Sequence, residues 1–221
     1  DTIDKVIELK PDRIAFYSYA HVPWIKASQR KFTENDLPPT ETKIQLYLMG
    51  REKLLQNGYQ DVGMDHFALP QDELFIAREQ KRLHRNFMGY TVQHTNTLIA
   101  LGVSSIGDSG DMYVQNVKEV EEYQELVQKQ IPIFKGHIVS DEEKRMRKHI
   151  LNLLCYFETS WKDEDDIIIS MMQDNQLWEE ILKDELVVVA SKSIKVTDLG
   201  KLLIRNICYA LDKPSQRAHS E

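Results

Sequence analysis

Cysteine is nearly missing from this chain: Cys155 and Cys208 are the only two among 221 residues. They stand far apart and each falls inside a helical pattern. Two such residues build no disulfide framework, zinc knuckle or thiolate cluster, and free cysteine ordinarily behaves as a small buried hydrophobe. Long apolar runs are missing too. No stretch approaches the roughly 20 residues that cross a bilayer, and the opening DTIDKVIELK lacks the form of a secretory signal. A cytoplasmic location with no membrane association is expected. Basic charge is in deficit: 28 Lys and Arg stand against 35 Asp and Glu, a net of −7 with pI about 5.6. A field of that sign repels phosphates, so no nucleic-acid partner is expected. None of the 7 histidines stands in a close-spaced metal-ligand pair, so no protein-bound metal is expected either. What is present is apolar material, 42% of the residues, enough for a packed core.

The first 139 residues alternate strand-like and helix-like segments. Thr2 to Leu9 reads as a helix end broken at Pro11-Asp12, and Arg13 to Tyr19 as a strand buried on both faces. A helix follows Pro38-Pro39-Thr40 and stops at Asn57-Gly58. Strand Asp61 to Met64 then precedes a loop from Asp65 and a helix from Asp72 to about Leu83. A third strand, Thr97 to Val103, ends in the small, polar loop Ser104 to Gly110, before a helix from about Val117 to Gln130. Strands alternating with helices predict an α/β fold with a mostly parallel sheet, whose ligands gather at the carboxyl ends of the strands. Three such units are too few to close a barrel of about eight strands, and three parallel strands would leave an exposed apolar edge. The chain is therefore expected to be a fragment, a partial (β/α) barrel lacking its amino-terminal strands.

The character changes at Ser140-Asp141-Glu142-Glu143, a capping box that opens a helix through Phe157. Beyond the acidic stretch Lys162 to Asp166, two short helices lead to a hairpin, Leu186 to Val189 and Ile194 to Val196, and Thr197 caps a last helix. Residues 140–221 thus form a second, mostly helical, winged-helix-like domain with a β-hairpin. A wing bearing Lys195, with Lys201 and Arg205 behind it, leaves a DNA reader as an alternative. The local balance, 12 Lys and Arg against 16 Asp and Glu, a net of −4, opposes it.

Five motifs in series carry a resemblance. Asp12-Arg13 with Tyr19-Ala20-His21-Val22-Pro23, Gly63-Met64-Asp65-His66-Phe67-Ala68, Leu83-His84-Arg85-Asn86-Phe87 with Gly89-Tyr90-Thr91, Gly102-Val103-Ser104 with Ile106, and Leu203-Ile204-Arg205-Asn206-Ile207-Cys208 occur in order. At this spacing the chain resembles the carboxyl-terminal half of the oxygen-independent coproporphyrinogen III oxidases, radical S-adenosylmethionine enzymes. The resemblance implies oxidative decarboxylation of two propionates of coproporphyrinogen III to give protoporphyrinogen IX in heme biosynthesis. A 5′-deoxyadenosyl radical removes hydrogen from the propionate β-carbon. It further implies two S-adenosylmethionine molecules, a [4Fe-4S] cluster held by a C-x-x-x-C-x-x-C motif in an amino-terminal region not present here, and an electron donor such as flavodoxin or ferredoxin. A monomeric parent enzyme, and no activity from this portion alone, follow from it. A heme-binding paralogue without oxidase activity is the other reading that the resemblance leaves open.

Site residues follow from the same resemblance. It places the backbone of Ala20, and Ile106, beside S-adenosylmethionine, and makes Phe87-Met88 a lining of the second S-adenosylmethionine site. Met88 stands where the family commonly has glutamine, and Ser18 where it has asparagine, so an amide that can donate and accept is absent at residue 88. No residue of this chain takes a catalytic role. From the residues themselves, Arg82, His84 and Arg85 form a dense basic run suited to substrate carboxylates, with Arg85 the leading candidate beside the Asn86-Phe87 loop. A cationic helix end is the plainer account of that run. Asp65-His66 reads as a hydrogen-bonded loop pair before it reads as an acid/base dyad.

Overall fold

Helix α1 (Thr2–Leu9) ends where Lys10 turns left-handed, φ 49°, just ahead of Pro11. Strand β1 (Arg13–Ala15) follows, then short 3-10 turns at Ala27–Lys31 and Glu34–Asp36, helix α2 (Thr40–Gln56), strands β2 (Gln60–Gly63) and β3 (His66–Ala68), and helix α3 (Glu73–Glu79). These residues form the first of two units in the computed structural model, Asp1–Glu79 and Gln80–Glu221. The structure describes residues 1–162, 167–173 and 175–212. The acidic stretch noted above lies, from Asp163 onward, outside the described residues.

The first unit departs from the parallel reading. β3 lies between β1 and β2 and pairs antiparallel with both. The cause is local. Met64 and Asp65 both adopt left-handed backbone, φ 40° and 69°, making a two-residue hairpin turn of the kind that matches strand twist. The run from Arg13 yields only three strand residues, and Tyr17 and Tyr19 are exposed, so it is not buried on both faces. Leu54, Tyr59, Phe67 and Leu69 form the core, with Ile3, Ile7, Ile14 and Phe16 packed against it. Tyr59 donates from its buried hydroxyl to the Pro11 carbonyl at 2.7 Å. Arg13 reaches Asp72 at 2.6 Å and Glu73 at 2.8 Å, fixing β1 to the start of α3. At Gly50 any Cβ would overlap the Phe16 ring, which lies stacked on Tyr47.

In the second unit α3 has ended, and Lys81, left-handed at φ 53°, turns the chain into β4 (His84–Asn86), paired antiparallel with β5 (Gly89–Thr91). The helix therefore stops short of Leu83, and the basic run lies not on a helix end but on a strand, His84 and Arg85, and the turn before it, Arg82. Strands β6 (Ile106–Asp108) and β7 (Met112–Asn116), helix α4 (Val120–Leu126) and strand β8 (Ile133–Ile138) follow, with β7 central and every pairing antiparallel. Thr97–Val103 is not a strand. Leu98 makes a single bridge to Asp108, while Asn116 donates its side-chain amide to the carbonyls of Ala100 and Gly102, and Tyr123 accepts from the Gly102 N–H. Side chains, not a ladder, satisfy that backbone.

Helix α5 (Asp141–Tyr156) has the expected capping box, Ser140 with Glu143. It is followed by β9 (Glu158–Ser160), α6 (Ile167–Met172), α7 (Gln176–Lys183), β10 (Val187–Ala190), β11 (Ser193–Val196), α8 (Asp198–Leu202) and α9 (Ile204–Ala210). The β10–β11 hairpin forms as read, but β9 joins it as a third antiparallel strand, and the last helix is two, interrupted at Leu203. His149 is buried on α5, its Nδ1 2.8 Å from the Thr159 hydroxyl. Thr197 caps α8 through the Gly200 N–H at 3.0 Å. A Cβ at Gly200 would overlap the Leu186 carbonyl oxygen and lie 2.8 Å from Val196 Cγ1. Gly200→Ala is therefore expected to cost about 1–3 kcal/mol by overpacking, read as a lower urea midpoint with the slope unchanged; an unchanged midpoint contradicts this packing.

Candidate functional site

Ala20 lies in the first unit, on an exposed loop whose shape comes from Gln29. The Gln29 amide donates to the Ala20 carbonyl at 3.2 Å and accepts from the Val22 N–H at 2.6 Å. Tyr19, His21 and Phe32 pack as a ring trio with centroids 5.2–6.1 Å apart. Sequence reasoning missed Gln29; an amide following a proline-bearing loop is too common to single out. On the adjoining hairpin, His66 Nδ1 lies 2.8 Å from the Met64 carbonyl and Tyr47 reaches Asp65 at 3.3 Å. These contacts fix the turn, in line with the loop-pair reading.

In the second unit Phe87 and Met88 occupy the β4–β5 turn. The Asn86 side chain accepts from the Met88 N–H at 2.9 Å, a local turn lock. Both side chains are exposed, Met88 at 83%. Phe87 sets its edge on Tyr113, centroids 5.1 Å apart, and the Arg147 guanidinium lies 5.2 Å from the Tyr113 ring centre. Arg147 also forms a two-point ion pair with Asp108. Ile106, two residues earlier on β6, points to the same strand face as Asp108. A chain of ring and ion contacts thus joins Phe87, through Tyr113 and Arg147, to the strand that bears Ile106.

A cavity of about 640 Å³ opens in this unit beside that chain. Arg82, His84, His94, Asp108, Arg147 and Lys148 line it, together with Lys81 and Lys144. Arg85, the leading carboxylate candidate, does not. Alternation along β4 sends it away from His84; its guanidinium lies 4.8 Å from the Tyr90 ring centre, with Nη1 buried and without a hydrogen-bond partner among the described residues. Burial holds the His84 imidazole below its ordinary pKa, helped by His94 and Arg147 and opposed by Asp108. For Asp108, burial pushes the carboxyl up, but the hydrogen bonds from Arg147 and the Gly110 N–H outweigh it, leaving the group below the carboxylate range. His94, Asp108 and Lys148 were not foreseen. Nothing in their spacing marks them, because they converge from a loop, a strand and a helix.

No group of three or more His, Cys, Asp or Glu side chains among the described residues is placed to hold a metal ion. Cys155 and Cys208 are buried, and burial pushes both thiols up to about 12, so they do not suit an iron–sulfur cluster, which is bound by thiolates. Among the described residues no helix is long and apolar enough to cross a membrane.

Comparison with known proteins first defines a class. A solved structure described as a coproporphyrinogen III oxidase from Escherichia coli, a radical SAM enzyme, superposes with a TM-score of 0.87 at 39% identity, over 96% of this chain and 50% of that one. Among curated relatives, the oxygen-independent coproporphyrinogen III oxidases of Escherichia coli, Pseudomonas aeruginosa and Synechocystis are 40%, 38% and 35% identical over 217, 218 and 222 residues. Each alignment takes in 96% of this chain. The chain spans about half the length of the curated relatives it matches, and no family model matches it. The chain belongs with the oxygen-independent coproporphyrinogen III oxidase family, as the counterpart of about half of such a protein.

The Asp108 carboxylate, below its unfolded pKa in the fold, contributes stability that is present above the unfolded value near 4 and is lost as pH falls through the folded one. Asp108→Asn is expected to cost about 1–3 kcal/mol at pH 7 and to flatten the acid limb of the stability profile between about pH 2 and 5. Equal acid limbs in the two proteins would contradict the pairing.

Proposed function

We propose that this chain is the carboxyl-terminal portion of an oxygen-independent coproporphyrinogen III oxidase. The observation that carries the reading is the agreement of sequence and fold over 96% of the chain. The parent reaction turns two propionates of coproporphyrinogen III into vinyl groups, each losing CO2, one hydrogen atom and one electron. The [4Fe-4S] cluster, the electron donor and the remaining barrel strands belong to the rest of the polypeptide or to partners. Residues 1–139 supply the last part of the barrel, and residues 140–221 a winged-helix-like lid that excludes water from the reacting centre.

S-adenosylmethionine, when bound, supplies the hydrogen-abstracting radical; this chain's residues bind and orient. The Ala20 carbonyl, held by Gln29, and Ile106 border the cofactor, and the exposed Phe87-Met88 turn lines the second cofactor position. An open backbone and an exposed aromatic ring suit an adenosine or methionine moiety. Met88 offers a thioether there in place of an amide, so the contact at that residue is apolar. Arg82 and His84 remain the substrate-carboxylate residues, because they line the cavity; Arg85 supports the hairpin instead. Of the cations on and behind the wing, Lys201 is paired with Asp198 at 2.7 Å and so offers less to a phosphate.

The test uses the complete natural polypeptide with a reconstituted cluster, S-adenosylmethionine and a reductant under anaerobic conditions. Formation of protoporphyrinogen IX with two CO2 per substrate is expected, and Phe87→Ala should lower turnover at least about tenfold. Heme binding without CO2 release would overturn the reading in favour of the heme-carrying alternative.

A further inference from the structure

We propose that the cavity between the β4–β5 hairpin and α5 is a proton-linked site for a small polyanion, held by Arg82 and Lys148 and sensed by the His84–His94 pair. The inference extends the carboxylate role proposed above for Arg82 and His84, adding Lys148 and His94, and its geometry lies within the unit Gln80–Glu221.

Three of the lining cations are already paired. Lys81 is tied to Glu158, Lys144 to Asp111 at 2.5 Å and Asp141 at 3.3 Å, and Arg147 to Asp108. Arg82 and Lys148 are different. Arg82 meets only the neutral side-chain oxygen of Gln80, through its Nε and Nη2, and Lys148 has no hydrogen bond or ion pair among the described residues. They come from the turn before β4 and from α5, so two uncompensated positive charges stand on different elements around one cavity. A single negative charge, Asp108, lies among the lining groups, and Arg147 consumes it. The volume, about 640 Å³, is that of a small-molecule site and not of a single trapped ion. Two separated cations select a ligand with at least two anionic groups, a polycarboxylate or a polyphosphate.

The histidines add a sensor. His84 and His94 meet edge to face with ring centroids 4.6 Å apart. The charged groups that line the cavity with them are Lys144, Arg147 and Lys148 on α5, Asp108 on β6, and Lys81 and Arg82 on the turn before β4. Burial, with His94 and Arg147 beside it, disfavours imidazolium at His84, against the opposing pull of Asp108. An anion in the cavity reverses that balance, so binding takes up protons and tightens as pH falls.

The test measures binding to the complete natural polypeptide by calorimetry at pH 6 and pH 8, in low salt, with two probes: coproporphyrin III, which carries four carboxylates, and inorganic pyrophosphate. Saturable binding of either, at least about tenfold tighter at pH 6 and at least about tenfold weaker in the double variant Arg82→Gln, Lys148→Gln, is expected. Both side chains are exposed, so the variant should fold, which circular dichroism checks. Binding of coproporphyrin III alone assigns the site to tetrapyrrole carboxylates, and of pyrophosphate alone to a phosphorylated metabolite. No saturable binding of either probe, or affinity unchanged in the double variant or between the two pH values, overturns the proposal.

Discussion

Helix α5 carries a cation, Arg147, that meets an acid on β6 and the face of an aromatic ring on β7 at the same time. A guanidinium suits both contacts at once: its N–H groups fork onto the Asp108 carboxylate while its charge stands over the Tyr113 ring. The described strands of the second unit form small antiparallel sheets, each too short to be stable alone. α5 gathers them. Tyr156 donates to the Leu83 carbonyl and Tyr90 to the Leu154 carbonyl, each at 2.7 Å, while Lys81 reaches Glu158 just past the helix. The cavity wall, the Phe87 turn and the strand bearing Ile106 all take their positions from this one helix.

What could be read in the sequence was what local chemistry decides. The Ser140–Glu143 box, the Asn57-Gly58 stop, the β10–β11 hairpin and the Thr197 cap are each specified within a few residues. Pairing direction was not readable. An apolar run such as Thr97–Val103 carries the same residue types whether it enters a ladder or has its carbonyls satisfied by Asn116, and only the tertiary partner decides. The Met64-Asp65 turn was hidden for another reason: neither residue is glycine, so two left-handed residues in succession give no composition signal. Arg85 shows the same effect at the site. Read on a helix end it sits beside Arg82; placed on a strand it faces the other way.

No spacing in these residues encodes a reaction or a cofactor; both follow from likeness to the family alone. The structure supplied what the resemblance did not: Gln29 as the support of the Ala20 loop, Tyr113 as the ring beneath Phe87, and a cavity with more cations than anions.

If α5 organises this unit through Arg147, removing the guanidinium should loosen what it touches and leave the far elements alone. Hydrogen exchange on Arg147→Met tests this directly. Amides of the β4–β5 hairpin and of β6–β7 are expected to exchange about tenfold faster, a loss of roughly 1.4 kcal/mol of local protection, while those of α7 and α9 keep their native rates. Native protection throughout the hairpin and β6–β7, or uniform loss across the unit, would contradict the account.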